Sequence, residues 1–297
     1  MPVPELPDVV VYLERLEALI GRSILERIRL PSPWVLRTYD PPVSAVEGKT
    51  VTGFRRIGKR IVFGLEDDLF VVIHLMIAGR LRWRNGGAAI PKKRGLAAFD
   101  FPQGTVLLTE EGTTKRASIH IVRGQSVLTA EHDRGGYEPF DMTVTQLTEA
   151  LRRERHTLKR SLTDARLISG VGGAYADEIM HRAKMSPMVH TDRLTDEDIG
   201  RLHAATRQVL SEWVDRLRAE VGDGFPEKVT AFHPGMAVHG KFGQPCPVCR
   251  SPVQRIVYAS NETNYCPGCQ TGGRILADRA LSRLLKEDFP RTLEDLE

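Results

Sequence analysis

The spacing of apolar residues changes twice along the chain, and each spacing predicts a different kind of structure. Near the start, apolar residues recur at helical spacing at Val9, Leu13, Leu16 and Ile20. Residues 22–123 instead hold short apolar and β-branched runs between turn residues, as expected for a series of strands. From residue 142 helical spacing returns, with a helix from Val144 and others over 157–166, 174–184 and about 195–221. The pattern predicts a two-domain α+β protein, with a leading helix, a β-sandwich or barrel and a helical domain.

The same pattern suggests where the domains begin and end. Six strands are predicted, at 24–30, 51–57, 61–65, 69–75, 96–101 and 106–109. We expect five segments: a β-rich domain over 1–125, a linker over 126–141, a helical domain over 142–235, a cysteine-containing segment over 236–272 and a tail over 273–297. The tail has a helical pattern, and we expect it to pack on the segment before it.

The first ten residues contain three prolines and two carboxylates, Glu5 and Asp8. Proline restricts φ and lacks an N–H, so these residues predict a stiff extended arm rather than a loose tail. One interpretation is that the arm simply leads into the first helix. The other is a reactive terminus, because an N-terminal proline is a secondary amine that can attack a sugar carbon. Glu5 would then be the nearby acid or base.

Composition restricts the class of protein without naming a partner. The chain is 41% hydrophobic and 27% charged, as in ordinary globular proteins, and the net charge of +4 does not by itself indicate a polyanion partner. Basic residues cluster locally at 55–60, 92–94 and 152–160. Such runs are usually solvated faces, and several in one chain raise the chance of a nucleic-acid surface. No apolar run is long enough to span a membrane, and no signal-peptide pattern opens the chain. We expect a soluble intracellular protein.

All four cysteines lie close together near the end of the chain. They form two C-x2-C pairs separated by 16 residues, Cys246 with Cys249 and Cys266 with Cys269. This spacing supplies four thiolates for one tetrahedral, structural zinc ion. A β-hairpin is predicted between the pairs, with Ser260-Asn261-Glu262 at its tip. Such a zinc ribbon can bind nucleic acid or protein, so it leaves the function open.

A glycine-rich turn precedes the predicted helix at 174–184. Gly170, Gly172 and Gly173 lie within four residues. The backbone N–H groups of such a turn can hold a phosphate at the helix N-terminus. A tight corner between two helices explains the same glycines, and the turn alone favours that simpler interpretation.

Taken in order, these segments resemble the formamidopyrimidine-DNA glycosylase and endonuclease VIII family of DNA repair enzymes. The resemblance covers roughly residues 4–270 and rests on specific motifs. They are Pro4-Glu5-Leu6-Pro7-Asp8-Val9, Arg56-Ile57-Gly58-Lys59-Arg60, His74-Leu75-Met76-Ile77-Ala78-Gly79, the helix–two-turn–helix-like Leu167–Glu178, His239-Gly240-Lys241 and Thr263-Asn264-Tyr265-Cys266-Pro267-Gly268-Cys269-Gln270.

The resemblance implies base-excision repair of damaged, abasic or unpaired DNA by a monomer associated with the nucleoid. Enzymes of this family flip the damaged nucleotide out of the duplex and plug the gap. A terminal proline attacks C1′, the base leaves, and elimination cuts the strand. The implied catalytic residues are Pro2 or Pro4, Glu5, Asp8 and Lys59. The implied DNA-binding residues are His74, Ile77, Lys115, Arg116, Gly172, Gly173, Lys241 and Asn261.

Several departures from the family pattern make the activity itself a question. Met1-Pro2-Val3 precede Pro4, which puts the nitrogen of Pro4 in a peptide bond unless processing or another start exposes it. Gly173 and Asn261 stand where the family has a phosphate-binding asparagine and arginine. Ile77 replaces a void-filling methionine, Asp8 replaces a glutamate, and the loop at 110–118 lacks the aromatic wedge. Two hypotheses follow: an active DNA glycosylase, with lyase activity in question, or a catalytically degenerate protein that binds damaged DNA.

Overall fold

The computed structural model describes residues 3–112, 114–228, 232–258, 261–276 and 290–296. The chain divides into two compact units, Met1–Arg134 with Glu212–Thr230 and Gly135–Ser211 with Ala231–Glu297. The first unit contains the strands of a β-sandwich, and the second contains helices and a small hairpin. The predicted α+β architecture is therefore confirmed. Within the described ranges, no helix combines the length and the hydropathy needed to cross a bilayer.

Helix α1 (Leu6–Ile20) opens the first unit. Glu5 is its N-cap residue, and the Glu5 N–H donates to Asp8 Oδ2 at 2.9 Å. This bond satisfies a backbone donor at the helix start, and the carboxylate of Asp8 suits the positive end of the helix dipole. The helix ends at Gly21, whose φ of +55° is accessible to glycine at little cost. The sequence thus fixes the beginning and the end of α1.

Two antiparallel sheets follow in the first unit. The strands are β1 (Ile24–Leu25), β2 (Arg27–Arg29), β3 (Lys49–Ile57), β4 (Arg60–Leu65), β5 (Leu69–His74), β6 (Gly79–Arg84), β7 (Gly95–Phe101), β8 (Gly104–Glu110) and β9 (Ser118–Arg123). One sheet has the order β1-β3-β4-β5-β9 and the other β2-β7-β8-β6. Side chains such as Phe63 and Phe99 fill a core that also buries one face of α1.

The strand predictions were wrong in three places. The single strand expected at 24–30 is two strands: β1 pairs with β3, while β2 pairs with β7 in the other sheet. Strands β6 and β9 were not predicted. In β6, Arg80, Arg82 and Arg84 alternate with Leu81 and Trp83. This alternation is a strand signal, but the strands were identified from apolar and β-branched runs, which β6 lacks.

A helix also occupies much of the expected linker. Helix α2 (Gln125–His132) places Leu128 against Phe70, Val72 and Val122 on the outer face of the five-stranded sheet. The burial of that single leucine explains why the segment is helical although its apolar pattern is weak.

The second unit begins with four helices, of which the last continues into the residues of the first unit. They are α3 (Val144–Arg152), α4 (Leu158–Thr163), α5 (Gly173–Arg182) and α6 (Asp196–Val221). Thr143 caps α3, because its Oγ1 accepts from Gln146 N–H at 3.2 Å. All four helices were predicted to within a few residues.

The cysteine-rich segment folds as a hairpin of β10 (Gln254–Tyr258) and β11 (Asn261–Tyr265), followed by the short helix α7 (Pro267–Gln270). Tyr258 pairs with Asn261, so Asn261 and Glu262 are strand residues and not part of the tip as predicted. Residues 259–260 lie outside the described residues. The predicted helix of the tail, centred on 277–285, also lies outside them.

Candidate active site and metal centre

The predicted catalytic carboxylates lie together at the start of α1. Glu5 and Asp8 are 2% and 4% exposed, and they are joined through the Glu5 N–H bond to Asp8. Pro4 is buried as well, and its nitrogen belongs to the Val3–Pro4 peptide bond in this sequence. Pro2, the other candidate amine, lies outside the described residues. Acidic side chains are seldom so deeply buried. These two form the capping box at the start of α1, and their position beside Pro4 makes this the candidate active site.

A buried tyrosine and arginine lie close to these carboxylates. Burial raises the pKa of Tyr12 above its ordinary value, and the negative charge of Asp8 acts in the same direction. Arg80 is also buried, and burial lowers its pKa although Tyr12 and Asp8 oppose that shift. Arg80 therefore supplies a positive charge near Asp8, which balances the carboxylate inside the unit. Sequence reasoning missed Arg80, because it lies in the unpredicted strand β6.

Lys59 lies in the two-residue turn between β3 and β4, where Ile57 pairs with Arg60. It is half-buried, which is unusual for a lysine in a hairpin turn. Arg60 pairs in turn with His74 at the end of β5. The pKa of His74 is lowered to about 4, chiefly by burial and then by the charges of Arg60 and Lys59. The fold thus brings together Lys59 and His74, which the sequence predicted separately.

Two further histidines join this group on the sheet face covered by α2. The rings of His120 and His132 meet edge to face with centroids 4.8 Å apart. Arg60 donates from Nη1 to the carbonyl of His132 at 3.3 Å. Burial lowers the pKa of His132 to about 4 and also lowers that of His120. These imidazoles are therefore neutral at neutral pH, and Arg60 is the cation among them.

The loop that follows β8 is held by Glu110. Its carboxylate accepts from the backbone N–H of Arg116 at 2.8 Å and of Ala117 at 3.2 Å, and Lys115 donates to its carbonyl. The side chains of Lys115 and Arg116 are exposed. Ile77 lies in the turn between β5 and β6, next to Met76 with φ of +53°. Glu110 therefore holds the backbone at Arg116 and Ala117, and Ile77 is half-buried.

In the second unit, the glycine-rich turn forms the N-terminus of α5. Gly172 is the N-cap residue and Gly173 the first helical residue. Lys159 on α4 donates to the Gly173 carbonyl and forms an ion pair with Asp177 at 2.6 Å. A Cβ atom added at Gly173 would have only Lys159 Nζ near it, at 4.0 Å. A cavity of about 670 Å³ opens here, lined by Thr157, Lys159, Arg160, Thr163, Gly173, Pro187, Met188, Glu262 and Thr263.

Two buried acidic residues of α5 connect this helix to the cysteine-rich segment. Asp177 accepts from Asn264 N–H at 3.2 Å and contacts His239 Nδ1 at 2.8 Å. Glu178 accepts three backbone N–H bonds, from Ala237, Val238 and His239, at 2.8–3.0 Å. Sequence reasoning missed this pair. Adjacent acidic residues inside an otherwise buried helix were the available signal.

The remaining predicted binding residues of this unit lie nearby. Lys241 is half-buried, and its N–H donates to the Val238 carbonyl at 3.1 Å. Asn261 begins β11, and its side chain is outside the described set.

The four cysteine sulfurs lie in close pairs, as a metal site requires. The distance between Sγ atoms is 3.8 Å for Cys246 and Cys269 and 3.3 Å for Cys249 and Cys266. Thiolates bound tetrahedrally to zinc at about 2.3 Å lie about 3.8 Å apart, so the cluster fits the ion. His181 on α5 adds an unpredicted nitrogen, with Nε2 3.3 Å from Cys246 Sγ. The predicted structural zinc centre is confirmed, and it holds the hairpin in place.

Comparison with known families agrees with this geometry along most of the chain. Residues 3–117 match the N-terminal domain of formamidopyrimidine-DNA glycosylase, and residues 136–221 match the H2TH domain of the same enzyme. Residues 243–272 match a zinc finger found in FPG and IleRS. The chain belongs to the formamidopyrimidine-DNA glycosylase family. The predicted resemblance is confirmed.

Relatives span the whole family fold. A formamidopyrimidine-DNA glycosylase of Chloroflexus aurantiacus is 30% identical over 277 residues, covering 90% of this chain and 98% of that protein. An uncharacterized formamidopyrimidine-DNA glycosylase-like protein of Mycobacterium tuberculosis is 40% identical over 151 residues, which is 51% of this chain and 94% of that protein. Of these two relatives, the one with the higher sequence identity is thus the shorter protein.

Solved structures of the family give the same architecture. FPG of Lactococcus lactis in complex with Fapy-dG-containing DNA has a TM-score of 0.79 at 25% identity, covering 90% of this chain and 100% of that chain. The complex of the same enzyme with abasic-site DNA also has a TM-score of 0.79, at 26% identity with 90% and 99% coverage. The fold is therefore that of a DNA glycosylase, while the roles of individual residues remain predictions.

Proposed function

We propose that this protein is a base-excision-repair DNA glycosylase that acts on damaged DNA. The observation that carries the proposal is the buried Glu5 at the start of α1, within a segment that matches the family's N-terminal domain. A buried carboxylate in this position is suited to proton transfer, because its surroundings exclude the water that would otherwise compete. The relatives' names and their complexes with damaged and abasic DNA support the same function.

Two routes can release the base, and both use Glu5. In the first, a proline amine forms a bond to C1′ while the C1′–N bond breaks and its electron pair leaves with the base. The amine proton passes to Glu5 as the bond from C1′ to the ring oxygen breaks. The ring oxygen keeps that electron pair and takes a proton from Glu5, and an iminium remains. Loss of a C2′ proton then breaks the 3′ C–O bond and cuts the strand. In the second route Glu5 takes a proton from water, and the water oxygen bonds to C1′ as the C1′–N bond breaks and its electron pair leaves with the base.

The choice between the routes depends on which amine the mature protein has. Pro4 can act only if the mature chain begins there, because a peptide-bond nitrogen has no free electron pair. Pro2 can act if it is the mature terminus and folds back toward Glu5. The positive charge of Arg80 balances the carboxylate of Asp8 beside this site. Lyase activity is part of the first route only.

Separate elements of each unit are proposed to bind the DNA backbone and fill the gap left by the flipped nucleotide. In the first unit these are Lys59, His74, Ile77, Lys115 and Arg116, which lie on turns, a strand end and a loop. In the second unit they are the α5 N-terminus at Gly172 and Gly173, with Lys241 and Asn261 of the finger segment.

The proposal also covers the oligomeric state, the location and the segments of the chain. We infer a monomer that works inside the cell on the nucleoid. We retain the five-segment division as its working organisation, namely 1–125, 126–141, 142–235, 236–272 and 273–297.

The proposal is tested with the full-length zinc-loaded protein on duplexes that contain a formamidopyrimidine, an oxidised pyrimidine or an abasic site. Base release from at least one damaged duplex is expected. Borohydride on the abasic duplex separates the routes, because it reduces an iminium to a stable covalent adduct. An adduct that Lys59→Ala retains and Pro2→Gly loses identifies Pro2, while base release without any adduct identifies the water route.

A non-catalytic binder of damaged DNA is the alternative, and the relatives do not favour it. It would be the correct function if the protein bound these duplexes but neither released a base nor cut the abasic strand. Mass spectrometry of the intact protein identifies the N-terminal residue and so states which amine is present in the assay.

A further inference from the structure

The zinc centre has five potential donors for four coordination positions. His181 Nε2 and the sulfurs of Cys246, Cys266 and Cys269 all lie within 4.8 Å of one another. Cys249 lies 3.3 Å from Cys266 but is the exposed member of the cluster, whereas Cys246, Cys266 and His181 are buried. The least exposed donors therefore include His181, which is not part of the two C-x2-C pairs.

The distances suit direct coordination by this histidine. In a tetrahedral site, zinc–sulfur bonds of about 2.3 Å and zinc–nitrogen bonds of about 2.0–2.1 Å place nitrogen and sulfur about 3.5 Å apart. His181 Nε2 lies 3.3 Å from Cys246 Sγ, and Cys246 and Cys269 are separated by 3.8 Å. Three cysteines and one histidine are an ordinary donor set for structural zinc.

We propose that His181 is a fifth metal-binding residue that takes the coordination position of Cys249 when that cysteine is lost. While Cys249 is bound, the His181 ring instead contacts the Cys246 thiolate. When Cys249 is lost, helix α5, which carries His181, is therefore attached to the finger through the metal ion. It is also attached through Asp177 and Glu178. The finger then keeps its ion without its most exposed ligand.

Cobalt substitution tests this directly, because the spectrum of bound Co²⁺ reports the donor set independently of DNA repair activity. Cys249→Ser protein is expected to bind one Co²⁺ in a tetrahedral site, with thiolate-to-metal charge-transfer absorption reduced by about a quarter, as for three thiolates in place of four. In Cys249→Ser/His181→Leu only an oxygen donor such as water remains for the fourth position, so the d–d bands of Cys249→Ser are expected to move to lower energy. The matched control Cys249→Ser/His190→Leu removes another histidine of the same unit and should keep these bands unmoved.

Zinc retention against a chelator gives the second readout. Cys249→Ser should lose affinity by about 10- to 100-fold, the scale seen when the surroundings of a metal ligand are disturbed, and still retain one zinc per chain. The proposal is overturned if Cys249→Ser loses zinc as completely as the double variant. If the double variant fails to fold, the ¹¹³Cd resonance of Cys249→Ser decides: an upfield shift is expected when nitrogen replaces sulfur, and an unshifted resonance contradicts the proposal.

Discussion

Replacing Gly173 by asparagine should strengthen DNA binding, because it returns a side-chain donor to the helix N-terminus proposed to bind phosphate. Gly173 is the first residue of α5, and a new Cβ would be 4.0 Å from Lys159 Nζ with no closer neighbour. Its φ is not in the left-handed region, so asparagine is accepted without backbone strain. The substitution therefore adds a donor without displacing anything.

The expected gain follows from one added hydrogen bond to a charged group. Such bonds contribute about 1.5–3 kcal/mol. Taking the lower value, because the phosphate also exchanges a bound water, Kd should fall a little more than tenfold. Asparagine carries no charge, so the slope of log K against log salt should not change. This separates the gain from a general increase in electrostatic attraction.

The assay is fluorescence anisotropy with an abasic-analogue duplex, titrated at several salt concentrations. Gly200→Asn is the matched control, since Gly200 is a helical glycine with open space around it and no proposed DNA contact. The control should leave Kd unchanged. An unchanged or weaker Kd for folded Gly173→Asn would refute the proposed phosphate-binding role of this helix N-terminus.

Three further predictions test other parts of the account. Asn261→Arg should steepen the slope of log K for DNA binding against log salt by about 0.9, because it adds one charge contact to a phosphate. An unchanged slope in the same titrations would argue against a phosphate contact at this position of the finger. Glu178→Ala leaves three backbone N–H groups without their acceptor, so the free energy of unfolding should fall by about 3–5 kcal/mol in denaturant titrations. A loss below about 1 kcal/mol would contradict the role of Glu178 as the acceptor that holds these N–H groups. Because the pKa of His74 and of His132 is about 4 when folded and about 6.5 when unfolded, the unfolded chain binds more protons between these values. The contribution of these histidines to the free energy of unfolding should therefore be fully present above pH 6.5 and decrease as pH falls toward 4. His132→Asn should flatten this pH dependence. An identical pH profile would show that His132 is not its source.

Regular elements with strong periodicity were predictable from the sequence. The apolar spacing of α1 and the long run of α6 identify those helices, and the paired cysteines identify the zinc centre. Strand β6 was missed because it has no apolar run, although its alternation of arginines with Leu81 and Trp83 was an available signal; what the sequence does not give is the partners of those arginines. Arg82, for example, pairs with Glu111 and Glu227. Such partners are visible only after the chain has folded.

The candidate site was predictable only in part, for a related reason. Glu5 was identified from a local motif, and its burial at the start of α1 agrees with that choice. Arg80, Asp177 and His181 were missed, since each has its role through residues far away in the sequence. Nothing near His181 in the sequence suggests a metal, and only folding brings it to Cys246.

The central claim is that Glu5 performs proton transfer in base release, and single-turnover release from a formamidopyrimidine-containing duplex tests it most directly. Glu5→Gln should slow release by about 10²- to 10⁴-fold, the usual contribution of a general acid or base, while binding of the duplex is kept. Glu17→Gln, an exposed position on the same helix, should match the unaltered protein. Equal release rates for Glu5→Gln and the unaltered protein, or no release from any lesion, would contradict the account.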